Sequence, residues 1–152
     1  MRSLKFAAIT AAIMGCGAAI AWAATPEEVV TQREEAMKGF GAATKTLTGF
    51  VRDNQGTVDE VKAATAKMAE ISAALPTLFP EGTGVGVGKS AAKAEIWTNA
   101  ADFQAKVKAT QDAITALNAA AQAGDVPKIK AAFPAVGQSC GACHQDYRVK
   151  KS

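Results

Sequence analysis

The sequence predicts an all-α protein, an antiparallel four-helix bundle, and three observations carry that expectation. Alanine dominates a chain with few aromatics and almost no strand-favouring run. Apolar residues recur at three- and four-residue steps through four long stretches. Helix caps and turn residues stand between those stretches at spacings that suit short antiparallel connections.

The N-terminus is read apart from the bundle. Arg2 and Lys5 precede an apolar stretch from Ala7 to Ile20, and Ala21-Trp22-Ala23 sets small residues three and one before a cut. Residues 1–23 are therefore expected to be a secretory leader cleaved after Ala23, sending one domain, residues 24–152, to the periplasm. A retained anchor is the competing reading, yet the apolar run falls short of the roughly 20 residues that cross a bilayer. Ile13-Met14-Gly15-Cys16 also resembles a lipoprotein box, with Met a poor fit before the Gly; if used, it would tether the protein by lipid. The leader holds two of the 17 Lys and Arg and none of the 14 Asp and Glu, leaving 15 against 14. A nearly neutral mature chain without a basic stripe gives no reason to expect nucleic-acid binding.

Thr25-Pro26-Glu27-Glu28 is a capping box with proline at the first helical position, so a first helix should start there. Its stripe runs Val30, Met37, Phe40, Thr44, Leu47 and Val51, and Arg33 falls in the same stripe. An arginine on an inward face calls for an anion or a route for its head to solvent. Asp53 to Gly56 is turn chemistry, and Thr57-Val58-Asp59-Glu60 opens a second helix with Val58, Val61, Thr65, Met68, Ile71 and Leu75 inward. Pro76 and Pro80 bound its end.

From Pro80 to Ser90 the chain is Gly-rich and lacks a periodic apolar face, which predicts a flexible surface crossover. Thr83 to Ser90 ends in Gly88-Lys89-Ser90 and nearly spells a phosphate-binding loop, but Thr83 stands where Gly is needed and no strand precedes it. A third helix carries Ile96, Ala100, Phe103, Val107, Thr110, Ile114, Leu117 and Ala121 on one face until Gly124 closes it. Asp125 can cap a fourth, with Val126, Ile129, Phe133, Val136, Cys140, Cys143, His144 and Tyr147 inward. Pro134 should kink or break that helix near Phe133 by removing the bond to the Lys130 carbonyl.

Cys140-Gly141-Ala142-Cys143-His144 is C-x-x-C-H, the attachment signature of c-type haem. On a helix, positions three apart share a face, so both sulfurs can bond the vinyl-derived carbons of one porphyrin edge while the adjacent imidazole meets the iron. Gly141 and Ala142 let the backbone lie against the ring. A redox dithiol is the first rival, but such a pair usually opens a helix after a strand, and nothing here reads as a strand. Zinc is the second, yet the mature chain offers only these three Cys and His residues where zinc needs four ligands. His144 is the only histidine, so the opposite axial position falls to another residue or to none. Met37 and Met68 are the mature sulfur candidates, each in a stripe where Met is more often core filling. Met37 is favoured because Arg33 lies one turn before it, where a haem propionate would supply the missing anion. Arg148, one turn after His144, is placed beside the haem edge on the proximal side. Both arginines have a plainer reading, reaching solvent along their stems.

A C-x-x-C-H near the C-terminus of an exported helical chain resembles the class II cytochromes c, the cytochrome c' and cytochrome c-556 family. Further matches are Arg33 with Met37, Leu78-Phe79-Pro80-Glu81-Gly82, Glu95-Ile96-Trp97 with Phe103, and Tyr147-Arg148 after the motif. The resemblance implies a left-handed bundle, often a homodimer, with His144 as the proximal ligand. It also implies two functions. One is a six-coordinate electron carrier with Met37 on the iron, serving redox partner proteins and needing no catalytic group. The other is a five-coordinate haem protein that binds nitric oxide or carbon monoxide, with Met37, Phe40 and Met68 only walling the distal side. The crossover lacks a Trp often found there in the cytochrome c' branch.

Overall fold

The structure is a computed structural model that describes residues 24–150. The expected leader over 1–23, with Cys16, lies outside the described residues. The elements are α1 (Pro26–Arg52), α2 (Val58–Ala74), a 3-10 turn (Leu75–Thr77), α3 (Glu95–Thr98), α4 (Ala100–Gln122) and α5 (Val126–Tyr147).

Local chemistry sets the ends. Both capping boxes form: the Thr25 hydroxyl accepts from Glu28 N and the Thr57 hydroxyl from Glu60 N, with each Glu accepting in return from the threonine amide. Between α4 and α5, Gly124 turns at φ +69°, donates to Ala121 O, and lets Asp125 N reach Ala120 O. That pair closes α4, and the Asp125 carboxylate accepts from Lys128 N to open α5. A side chain with a Cβ would be strained at this φ, so the turn needs its glycine.

The four long helices run up, down, up, down. Gln111 on α4 donates to Ser72 O on α2, and Gln122 donates to Lys62 O, so the two helices are antiparallel. α1 packs on α2, α2 on α4 and α4 on α5, whereas α1 and α5 touch only sparsely. The core runs the length of the bundle, with Leu47, Val61, Met68, Leu117, Ala121 and Ile129 fully buried. The interior-facing residues Met37, Cys140, Cys143 and His144 remain half-buried.

Four expectations are corrected. The third helix is two: Asn99, at φ −122° and ψ 48°, separates the single turn of α3 from α4. The stripe of α1 drifts, so Ala43 is buried and Thr44 and Val51 stay half-exposed. The crossover is not a free surface loop, since Thr83 is 1% exposed and Ala92 6%. Its composition hid this, because what pulls it inward is one side chain from α1. Finally, α5 continues through Pro134 without a break. Pro134 and Lys130 both lie on the exposed side, so water can take up the carbonyl that proline leaves unbonded.

That placement yields a stability prediction. Pro134→Ala restores a helical amide on an exposed face and should raise the unfolding free energy by about 1–3 kcal/mol in a denaturant titration. A fall in stability would show instead that the ring packs usefully against the bundle.

Candidate functional site

The last turns of α5 bring together what the motif promised. Cys140, Cys143 and His144 stand on one face, each half-buried, and both sulfurs are free thiols packed against the core. Burial pushes both thiols up from their ordinary range, so they rest as neutral S–H groups. A redox dithiol needs the opposite, a stabilised thiolate at a helix N-terminus. Here the cysteines lie toward the C-terminal end, where the helix dipole disfavours negative charge. Burial also holds His144 below the ordinary imidazole range, with the nearby Arg148 charge adding to the effect. Its ring is neutral at pH 7 and keeps a nitrogen lone pair for a metal.

Arg148 is placed by backbone pairing. Its amide donates to His144 O as the helix ends, and the residue turns extended to form an antiparallel bridge with Ala92. Lys93 N donates to Tyr147 O and Val149 N to Ala91 O, at 3.0 and 2.9 Å. The Arg148 side chain is exposed, in line with the plainer reading that it reaches solvent, while its charge is still felt at His144.

A polar network beside Cys143 escaped the sequence reading. Tyr147 Oη donates to Asp102 at 2.6 Å, and Lys106 bridges Asp146 at 3.0 Å and Asp102 at 3.7 Å. Tyr147 is stacked edge-on against Phe103, which stacks edge-on against Phe79. Asp102 and Lys106 pair with each other along α4, and the approach of α5 adds Tyr147 and Asp146 as partners. Their i, i+4 spacing was the one available signal.

On α1, Arg33 is 6% exposed and its terminal nitrogens are fully engaged. Nη1 donates to Leu78 O (3.2 Å) and Thr83 Oγ1 (3.1 Å); Nη2 donates to Thr83 O (2.7 Å) and Ser90 Oγ (2.8 Å). The guanidinium also lies 4.8 Å from the centroid of Phe79. The segment from Leu78 to Ser90 thus supplies four oxygens to this inward-facing guanidinium. Those oxygens are all neutral, however, and among the described residues no carboxylate forms an ion pair with Arg33. Met37, one turn on, is half-buried against the core, Phe40 is buried, and Met68 is fully enclosed as core filling.

Comparison with known proteins gives this arrangement its place. The family model described as Cytochrome C' matches residues 28–148. The chain belongs to the cytochrome c' family. It is 40% identical over 130 residues to a cytochrome c' of Alcaligenes xylosoxydans xylosoxydans, covering 84% of this chain and 98% of that protein. It is 39% identical over 124 residues to a cytochrome c-556 of Agrobacterium tumefaciens (strain B2A), covering 80% and 98%. Among solved structures it matches the nitric oxide complex of a variant of cytochrome c' from Alcaligenes xylosoxidans with TM-score 0.77 and 38% identity, over 86% of this chain and all of that one. Cytochrome c' from Thermochromatium tepidum superposes with TM-score 0.77 at 31% identity, over 84% and 100%.

The cofactor of this cytochrome c' family member is haem c, bound covalently. The residues present fit it. Two neutral thiols three positions apart and a neutral imidazole form the donor set, and the buried Arg33 has no carboxylate of its own to balance it.

The network makes one prediction. Burial, and next the hydrogen bond to Asp102, push the Tyr147 hydroxyl up to about 12. It is the only tyrosine in the chain, so absorbance near the phenolate band reports it alone. An unfolded tyrosine ionises near 10, so between that value and about 12 the unfolded state has lost a proton the folded state still holds. Stability should therefore fall as pH rises through this window, and a phenolate titrating near 10 in the folded protein would refute the burial argument.

Proposed function

We propose that this cytochrome is an exported electron carrier, with residues 1–23 directing it to the periplasm and redox proteins as its partners. The observation that carries the reading is the α5 donor set: two free thiols and one neutral imidazole, half-buried on one face of the helix. In this reading Cys140 and Cys143 would hold the porphyrin edge through thioether bonds and His144 would ligate the iron. Met37 would be the second ligand, from α1, with Arg33 and Arg148 supplying positive charge toward the propionates. When bound, haem c supplies a one-electron ferric and ferrous couple.

The chain's own residues supply the rest. Burial, and next the Arg148 charge, keep the His144 nitrogen unprotonated. Met37 carries no proton to gain or lose, so its thioether can serve in both oxidation states with little rearrangement. Phe40 and Phe79 keep apolar surface beside the site, and a low dielectric there favours whichever iron state carries less net charge. With its four terminal N–H groups already bonded to the crossover, Arg33 would act on a propionate through its charge alone. No acid, base or nucleophile is required.

A second reading is favoured by a specific observation: structures similar to this chain include nitric oxide and carbon monoxide complexes of cytochrome c' from Alcaligenes xylosoxidans. In it the iron is five-coordinate, and Met37, Phe40 and Met68 wall a gas-binding side without ligating.

Two measurements test these readings. Protein made with haem-attachment machinery should carry the mass of one haem, and Cys140→Ser with Cys143→Ser should lose it; a mature chain with the mass of its amino acids alone would end both readings. The ferric protein should be low-spin with a weak far-red sulfur-to-iron band that Met37→Leu abolishes. A high-spin spectrum indifferent to Met37→Leu would replace the carrier by the gas-binding form.

A further inference from the structure

Two helices carry the residues assigned to opposite sides of the iron, and these helices scarcely touch: Met37 is on α1, His144 on α5. What fixes their separation has to be sought elsewhere. The crossover runs between them at this end of the bundle and is anchored at both margins. Toward α1 it gives oxygens to all four terminal N–H positions of Arg33. Toward α5, Ala91 to Lys93 pairs with Tyr147 to Val149, and Lys93 Nζ adds a bond to Asp146 O at 3.0 Å.

Ser90 is the node between the two anchorages. Its hydroxyl accepts from Arg33 Nη2 at 2.8 Å, donates to Thr83 O at 2.8 Å, and accepts from Ala92 N at 3.3 Å. Ala92 is in turn the residue bridged to Arg148, four positions after His144. One hydroxyl thus joins the arginine one turn from Met37 to the strand pair that ends the helix of His144. No other described side chain bonds both to α1 and to the segment paired with α5.

We infer that Ser90 is a positioning residue: it ties α1 to the end of α5 through the crossover and so sets the distance between Met37 and His144. The inference rests on the assignment of those two residues to opposite sides of the iron. A taut strap brings the thioether into ligand range. A slack one lets α1 draw back, which leaves the distal side open. The same fold can then serve a six-coordinate or a five-coordinate haem according to the strap. This also bears on why Thr83, a residue of a Gly-rich loop, is almost completely buried: it fills the core of the strap rather than any phosphate cradle.

The test uses the holoprotein and three variants: Ser90→Ala, Ser90→Thr and Lys93→Met, the last removing the one side-chain bond at the α5 end of the strap. Carbon monoxide is the probe, mixed with ferrous protein. Ser90→Ala and Lys93→Met should each raise the association rate by about tenfold, the order expected from losing one anchoring hydrogen bond, and Ser90→Thr should return it to the parent value. The ferric spectrum should move toward high spin in the same two variants if Met37 ligates. Independently of the haem, exchange of the Lys93 and Val149 amides should quicken by about the same factor in Ser90→Ala. A lower melting temperature with unchanged gas kinetics would reduce Ser90 to ordinary loop stability and overturn the inference, as would failure of Ser90→Thr to restore the rate or opposite signs for Ser90→Ala and Lys93→Met. The Met37 assignment fails separately, on the Met37→Leu spectrum, because faster gas entry is expected whether that sulfur ligates or only walls the site.

Discussion

A guanidinium buried without a carboxylate is the constraint on which the haem end of this molecule depends. Taking the charge of Arg33 out of water is costly, and the cost is offset only if every terminal N–H finds an oxygen. Leu78, Thr83 and Ser90 provide those oxygens, and they can do so only if the crossover folds inward against α1. The geometry of the loop follows from the needs of one side chain. Phe79, stacked under the guanidinium, then reaches Phe103 on α4, and Phe103 reaches Tyr147 on α5, so the same residue anchors an aromatic column across the bundle.

The bundle divides its labour along its length. Aliphatic side chains such as Leu47, Val61, Leu117 and Ile129 fill the core toward the short turns. The other half keeps its sulfur and imidazole donors half-exposed and replaces direct contact between α1 and α5 with the crossover. A flat apolar cofactor suits such an end, because it can complete the packing that the helices leave open. The neutral state of the thiols and of His144 follows first from burial, and an unprotonated imidazole is the form that a metal ligand requires.

Legibility in the sequence followed the range of the interactions. Both capping boxes, the Gly124 turn and the Asp125 cap were readable because each is settled within about five residues by backbone hydrogen bonding. The C-x-x-C-H cluster was readable because helix periodicity alone puts its three donors on one face. The break at Asn99 was not, since the apolar spacing passes through it undisturbed and only the turn of the chain from the crossover onto α4 interrupts the helix. The continuity of α5 through Pro134 was also hidden, because it depends on which side of the helix faces water.

By itself, then, the amino-acid order determined the helical class, the helix starts and the C-x-x-C-H cluster on one helix face, all products of short-range geometry and side-chain chemistry. Only the tertiary structure decided where Arg33 spends its hydrogen bonds, that the Gly-rich crossover is clamped rather than loose, and which partners Ser90, Asp102 and Lys106 meet. Those outcomes join residues that lie 45 or more positions apart for Arg33 and Tyr147. No periodicity encodes such partners; they are fixed when a buried polar group must find its complement among whatever the packed helices bring near.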